Sequence, residues 1–148
     1  MSGNGILSST SISASGLAAE RQRMEIVANN IANAHTTRSL NGGPYRRQHV
    51  VFAEMHDAMA PSLLGGGSGP AGVRVLGVAP DQTQFPEVYD PGHPDANADG
   101  YVQMPNVKLP SELVDLVTAS RSYEANLKAL TAFREMMEQT LSLLRGLG

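Results

Sequence analysis

Residues 111–145, SELVDLVTASRSYEANLKALTAFREMMEQTLSLLR, place Leu113, Leu116, Ser120, Tyr123, Leu127, Leu130, Arg134, Met137, Leu141 and Leu144 at alternating spacings of three and four. Eight of these ten side chains are apolar, the a/d seam of a left-handed coiled coil. Neither Gly nor Pro interrupts the run, so one continuous helix is expected from about Ser111 to Arg145. At about 1.5 Å per residue such a helix is roughly 50 Å long, more than the diameter of a small domain. A chain of 148 residues lacks the material to cover it, so the seam points to partners.

The ends of the helix are also written. Pro110 and Ser111 give a start signal, and Glu112 and Asp115 put negative charge in the first turn, where the helix dipole favours it. Arg145 followed by Gly146 gives the stop. Glu124 and Lys128 stand four apart in the favourable order.

A second helical pattern lies near the other terminus. Leu17, Met24 and Ile31 repeat every seven residues, Ala14, Arg21 and Ala28 hold the positions between, and Val27 widens the stripe. This seam is thin, because Ala and Arg bury little per turn. The Ser/Thr-rich stretch Ser8 to Ser15 reads either as a frayed first turn or as a segment ordered on binding. The helix is expected to end near Asn33, since Asn29, Asn30 and Asn33 favour caps and turns. Those amides have two readings: a helix C-cap, or hydrogen bonds to a neighbouring helix that fix register. Ser120 and Arg134, the polar breaks in the C-terminal seam, invite the second reading as well.

Between the helices the pattern shifts to short strands and punctuation. Strand signals fall at Tyr45 to Phe52, at Val73, Val75 and Val78, at Glu87 to Tyr89, and at Tyr101 to Met104. Gly65 to Gly69 reads as a connector or hairpin tip. With three Phe, four Tyr, no Trp, 15 Gly and 9 Pro, one well-filled core is not expected. The expected fold is mainly α with a small β-rich insertion, the terminal helices pairing as an antiparallel coiled coil. The segments are 1–38 (N-terminal helical), 39–108 (β-rich and loop) and 109–148 (C-terminal helix).

Several function classes find no support. A net charge of −3 and the isolated pair Arg46-Arg47 leave no nucleic-acid footprint. No window approaches a membrane span, and the residues after Met1 lack the n- and h-regions of a cleaved secretory signal. With no Cys, disulfides and thiolate metal sites are excluded. Asp95, Asn97, Asp99 and Gly100 match the first half of a calcium loop, but Asn106 stands where a bidentate Glu is required, and Pro91 and Pro94 oppose an entering helix. A calcium-responsive binding module is therefore the alternative function, against the plainer reading of an Asp/Asn/Gly turn. His93 among Asp90, Asp95 and Asp99 suggests a metal or general base, yet no second His lies near it and His35, His49 and His56 fall at no ligand spacing. No nucleophile elbow, phosphate loop or dinucleotide fingerprint occurs. No catalytic residue, cofactor or metal is expected.

The segments Ile12-Ser-Ala-Ser-Gly-Leu17, Arg23-Met24 and Val27-Ala-Asn-Asn-Ile-Ala-Asn33 closely resemble the N-terminal signature of bacterial flagellar rod and hook proteins. Gly42-Gly-Pro-Tyr-Arg-Arg47, Val88-Tyr-Asp-Pro-Gly-His-Pro-Asp95, Gly100-Tyr-Val and Ser120-Arg-Ser-Tyr-Glu-Ala-Asn126 narrow the resemblance to the proximal-rod family. It covers nearly the whole chain, and only Gly65 to Gly69 looks like a variable insertion.

This resemblance implies a structural subunit whose terminal helices pack with those of other subunits into the tubular rod of the basal body. That rod transmits torque and encloses the export channel. The resemblance also implies export through the flagellar type III apparatus without signal cleavage, and assembly in the periplasm. Implied partners are copies of itself, other rod proteins, the rod-base adaptor and the rod-capping peptidoglycan hydrolase. The assembly positions it implies are Leu17, Met24, Asn29, Asn30, Ile31 and Asn33 in the first helix. In the second they are Tyr123, Asn126, Leu127, Leu130, Met137, Leu141 and Leu144.

Overall fold

A computed structural model describes residues 4–39, 42–56 and 70–146. The order of elements is α1 (Asn4–Ala32), β1 (Gln48–His56), β2 (Pro70–Pro80), β3 (Glu87–Tyr89), β4 (Tyr101–Gln103) and α2 (Leu109–Gly146). Terminal helices flank a small β module, as the hydrophobic periods predict. The expected Gly65 to Gly69 connector lies outside the described residues.

The strands pair as two two-stranded sheets, β1 with β2 and β3 with β4. In the second the pairing is antiparallel, with Glu87 opposite Gln103, Val88 opposite Val102 and Tyr89 opposite Tyr101. Side chains alternate across a strand, so Val102 turns inward to 2% exposure while Tyr89 and Tyr101 meet edge to face on the other side, centroids 5.3 Å apart.

One correction concerns Ser8 to Ser15. This stretch is not frayed; α1 begins at Asn4. Ser15 explains part of its order: its hydroxyl donates to the Ile12 carbonyl at 2.7 Å and accepts from the Val73 N–H of β2 at 3.2 Å. Gly72 beside it has φ of 128° and its backbone lies so close to the Ser15 hydroxyl that no Cβ would fit. Glycine is required there on both counts.

The chain forms two compact units. One comprises Met1–Arg21, Phe52–Leu76 and Ser120–Gly148; the other comprises Gln22–Val51 and Gly77–Ala119. In the first, α1 and α2 approach closely at Gly16, where a Cβ would stand 2.8 Å from Asn126 Nδ2. In the second they meet at Asn30 and Glu112. Within that second unit Arg23 of α1 reaches Asp115 of α2 while Asn30, further along α1, reaches the earlier Glu112, so the helices run antiparallel there.

The described core is small. Its buried apolar side chains are Ala19, Val27, Ala34, Val102 and Ala119, while Ser13, Asn30 and Glu112 are buried polar groups. Small residues bring backbones close but supply little apolar area, so hydrogen bonds and ion pairs have to hold much of the arrangement.

Candidate assembly interface

The polar centre sits in the unit that contains Gln22–Val51 and Gly77–Ala119. Asn30 and Glu112 are both 0% exposed. The Asn30 amide donates to Glu112 Oε2 at 2.9 Å and to the Gln48 carbonyl at 2.8 Å. Its carbonyl oxygen accepts from the Tyr45 hydroxyl at 2.9 Å and the Gln48 N–H at 3.0 Å. Two donors and two acceptors use the full capacity of a side-chain amide.

Arg47 closes the network. Its Nε donates to Glu112 Oε1 at 2.5 Å, and its terminal nitrogens lie 3.6 Å from Asp81 and 3.4 Å from Asp115. Asp115 in turn lies 3.4 Å from Arg23 of α1. Burial opposes the Arg47 charge, but the hydrogen bond and charge of Glu112, then those of Asp81 and Asp115, outweigh it and raise the guanidinium above its usual value. Burial first, and the Glu112 charge second, push the Tyr45 phenol above its ordinary range. The backbone N–H and then the hydroxyl of Thr83 hold Asp81 below the usual carboxylate range, with Arg47 and His49 adding to the effect against partial burial.

This network answers the two readings of the asparagines separately. Asn30 bonds to the opposing helix and is enclosed within the chain. Asn33 caps α1: its amide donates to the Asn29 carbonyl at 2.9 Å and its oxygen accepts from Thr36 Oγ1 at 3.2 Å. No described residue other than Gly has positive φ, so the cap works through the side chain rather than a left-handed backbone. Asn29 is exposed, and Leu17, Met24 and Ile31 are half-buried.

On α2 the heptad seam divides. The edge turned inward is Glu112, Leu116, Ala119, Tyr123, Asn126, Leu130 and Phe133, every one buried or half-buried. This edge shares Leu116, Tyr123 and Leu130 with the predicted seam. The other edge faces solvent: Leu113 is 52% exposed, Leu127 48% and Leu141 51%. From Arg134 to Gly146 every side chain is exposed, including Met137 and Leu144. The expected pair Glu124–Lys128 is not formed among the described residues. Arg134 instead pairs with Glu138 of its own helix at 2.9 Å, an exposed pair worth only about 0.3–0.5 kcal/mol.

In the sequence Glu112 reads as a first-turn charge for the helix dipole and Arg46-Arg47 as an isolated pair, with no signal that Glu112 and Arg47 form the buried centre.

The Asp95 to Gly100 loop is organised for its backbone. Asn97 Oδ1 accepts from the N–H groups of Asp99 and Tyr101, and Gly100 takes φ of 80°. Asp95 accepts from Thr37 Oγ1 at 2.8 Å, and His93 Nδ1 accepts from the Asp95 N–H. Of the oxygens that a calcium ion would need, that of Asn97 is engaged in an Asx turn and those of Asp95 are taken by Thr37 and Arg38. Among the described residues, no group of three His, Asp or Glu side chains converges as a metal site would, and no helix is long and apolar enough to cross a membrane.

The terminal helices thus pair antiparallel and leave a row of apolar side chains on the outer edge of α2 exposed. Residues 11–38 match the family described as Flagella basal body rod protein, and residues 98–143 that described as Flagellar basal body rod FlgEFG protein C-terminal. The chain is 40% identical over 152 residues to the flagellar basal-body rod protein FlgC of Borreliella burgdorferi, covering 96% of this chain and 99% of that one. It is 43% identical to FlgC of Bacillus subtilis (91% and 95% covered) and 43% identical to FlgC of Salmonella typhimurium (89% and 92% covered). The chain belongs to the FlgC family of flagellar basal-body rod proteins.

Proposed function

We propose that this chain is a structural subunit of the proximal rod, and that the solvent-facing edge of α2 is where it joins its neighbours. The observation that carries this is the row of apolar side chains on one helix left in water: Leu127, Met137, Leu141 and Leu144 are 48%, 39%, 51% and 65% exposed. A run of that kind marks an interaction surface. Leu17, Met24, Asn29 and Ile31 on α1 and Asn33 at its C-terminal cap, with Tyr123, Asn126 and Leu130 on α2, complete the assembly set. Asn30 serves it from inside by holding the two helices in register.

On this reading the chain acts with copies of itself and other rod proteins, is delivered by the flagellar type III export apparatus, and meets the rod-base adaptor and the rod-capping hydrolase. It works on the periplasmic side, transmits torque around the export channel, and catalyses nothing. Segments 1–38 and 109–148 do the assembling, and 39–108 decorates and locks them. Replacing Leu127 by Asp tests the reading. Loss of rod assembly and motility with an unchanged melting temperature of the isolated chain is expected; normal motility would refute it.

A further inference from the structure

Arg46 and Arg47 are neighbours with opposite circumstances. Arg47 faces three carboxylates, whereas Arg46 forms no ion pair with any described residue. Its Nη1 donates to the backbone carbonyls of Asp81 at 2.8 Å and Thr83 at 3.2 Å, and its guanidinium carbon lies 4.3 Å from the centre of the Phe85 ring. Carbonyl and ring hold the guanidinium in place without cancelling its charge.

Arg46 and Phe85 together border two cavities in the same unit. One, of about 680 Å³, is lined also by Val78, Pro80, Tyr45 and Gln103. The other, of about 600 Å³, adds Gln84 and Glu87. Glu87 does not reach Arg46; it accepts from Gln103 Nε2 at 3.2 Å. A fixed cation set in a partly apolar cleft suits a carboxylate carried beside apolar side chains.

The same chain displays such a group. From Val75 to Val107 no Lys or Arg occurs, while Asp81, Glu87, Asp90, Asp95 and Asp99 do. Within the β3–β4 loop, Asp95 is bound to Thr37 and Arg38, but Asp99 is exposed and forms no ion pair among the described residues. Beside it Val88 is 49% and Tyr89 65% exposed. The loop is already shaped: the Asp90 N–H donates to the Gly100 carbonyl at 2.9 Å and the Gly100 N–H to that of Asn97 at 3.0 Å. Little entropy remains to be lost on docking.

We infer that the Arg46–Phe85 cleft receives the Asp90 to Asp99 loop of a second copy of this chain, with Asp99 set against the Arg46 guanidinium. The inference rests on the rod-subunit reading and adds a contact outside the terminal helices. Loop and cleft are different surfaces, so the contact is heterologous and propagates from copy to copy instead of closing a pair. That is the geometry a helical rod needs.

The absence of Cys makes a direct test available. Ala98→Cys and Gln84→Cys are introduced together into the full chain, which replaces the native copy in cells, and basal bodies are purified after mild oxidation. The expected result is disulfide-linked dimers and higher multimers for the double variant and none for either single variant. Separately, Arg46→Glu and Asp99→Lys should each lower incorporation at least about tenfold, as expected for losing a charge contact of about 1.4 kcal/mol, and the double swap should restore it. Basal bodies that contain the protein but yield no cross-link, or that incorporate Arg46→Glu fully, overturn the docking and leave the rod reading standing. Basal bodies that lack the unmodified protein overturn the rod reading itself. Because the cross-link keeps Arg46 native, misfolding of the charge variants does not decide the outcome.

Discussion

The two ends of α2 carry the same heptad and meet opposite fates. Near its start Glu112 and Ala119 are fully enclosed, although one is charged and the other has only a methyl group. Near its end Leu141, Leu143 and Leu144 are 51%, 70% and 65% exposed, although all are large and apolar. Burial within this chain therefore follows what α1 and the β module bring to each turn, not hydrophobicity alone. A seam reports the capacity to pack; the opposing surface decides whether the partner lies within the chain or outside it.

That contrast is broken most severely at the enclosed end. Arg47→Met leaves Glu112 as a buried charge with its main counter-ion removed, and unfolding by denaturant should show a loss of about 3–5 kcal/mol. Asn30→Ala deprives Tyr45, Gln48 and Glu112 of partners and should cost about 1–3 kcal/mol in the same measurement.

Asp81 sharpens the picture through pH. Its carboxyl is lowered in the folded chain, so its contribution is complete above the unfolded value of about 4 and is lost as pH falls through the folded one. Asp81→Asn should accordingly flatten the acid limb of a melting-temperature profile without altering the neutral-to-alkaline limb. At the exposed end the isolated chain should hardly respond. Leu141→Ser should change its stability by no more than about 0.5 kcal/mol, while reducing its incorporation into rods in a pull-down of basal bodies.

Much of this architecture was legible in the residues. The spacing of Leu113 to Leu144 marked α2, Leu17, Met24 and Ile31 marked α1, and the Val- and Tyr-containing runs marked the strands. Periodicity reports which side chains share a face, and that is a local property of the backbone. The polar centre was hidden because Arg47 and Glu112 lie 65 positions apart, and a single sequence carries no signal that two distant ionic groups will meet. The division of the seam was hidden for a related reason. Which edge of a helix turns inward depends on how closely its neighbour approaches, set here by Gly16 against Asn126 and by Asn30 against Glu112. The helical state of Ser8 to Ser15 was obscured by its composition, which favours caps and turns until a hydroxyl such as that of Ser15 finds partners on both α1 and β2.

Amide hydrogen exchange along α2, compared between the isolated chain and purified rods, shows which turns of the helix are covered only on assembly. Slow exchange is expected around Glu112 to Ala119 in both states, and fast exchange from Arg134 to Arg145 in the isolated chain that becomes strongly protected in the rod. Equal protection of Arg134 to Arg145 in the two states would contradict that expectation.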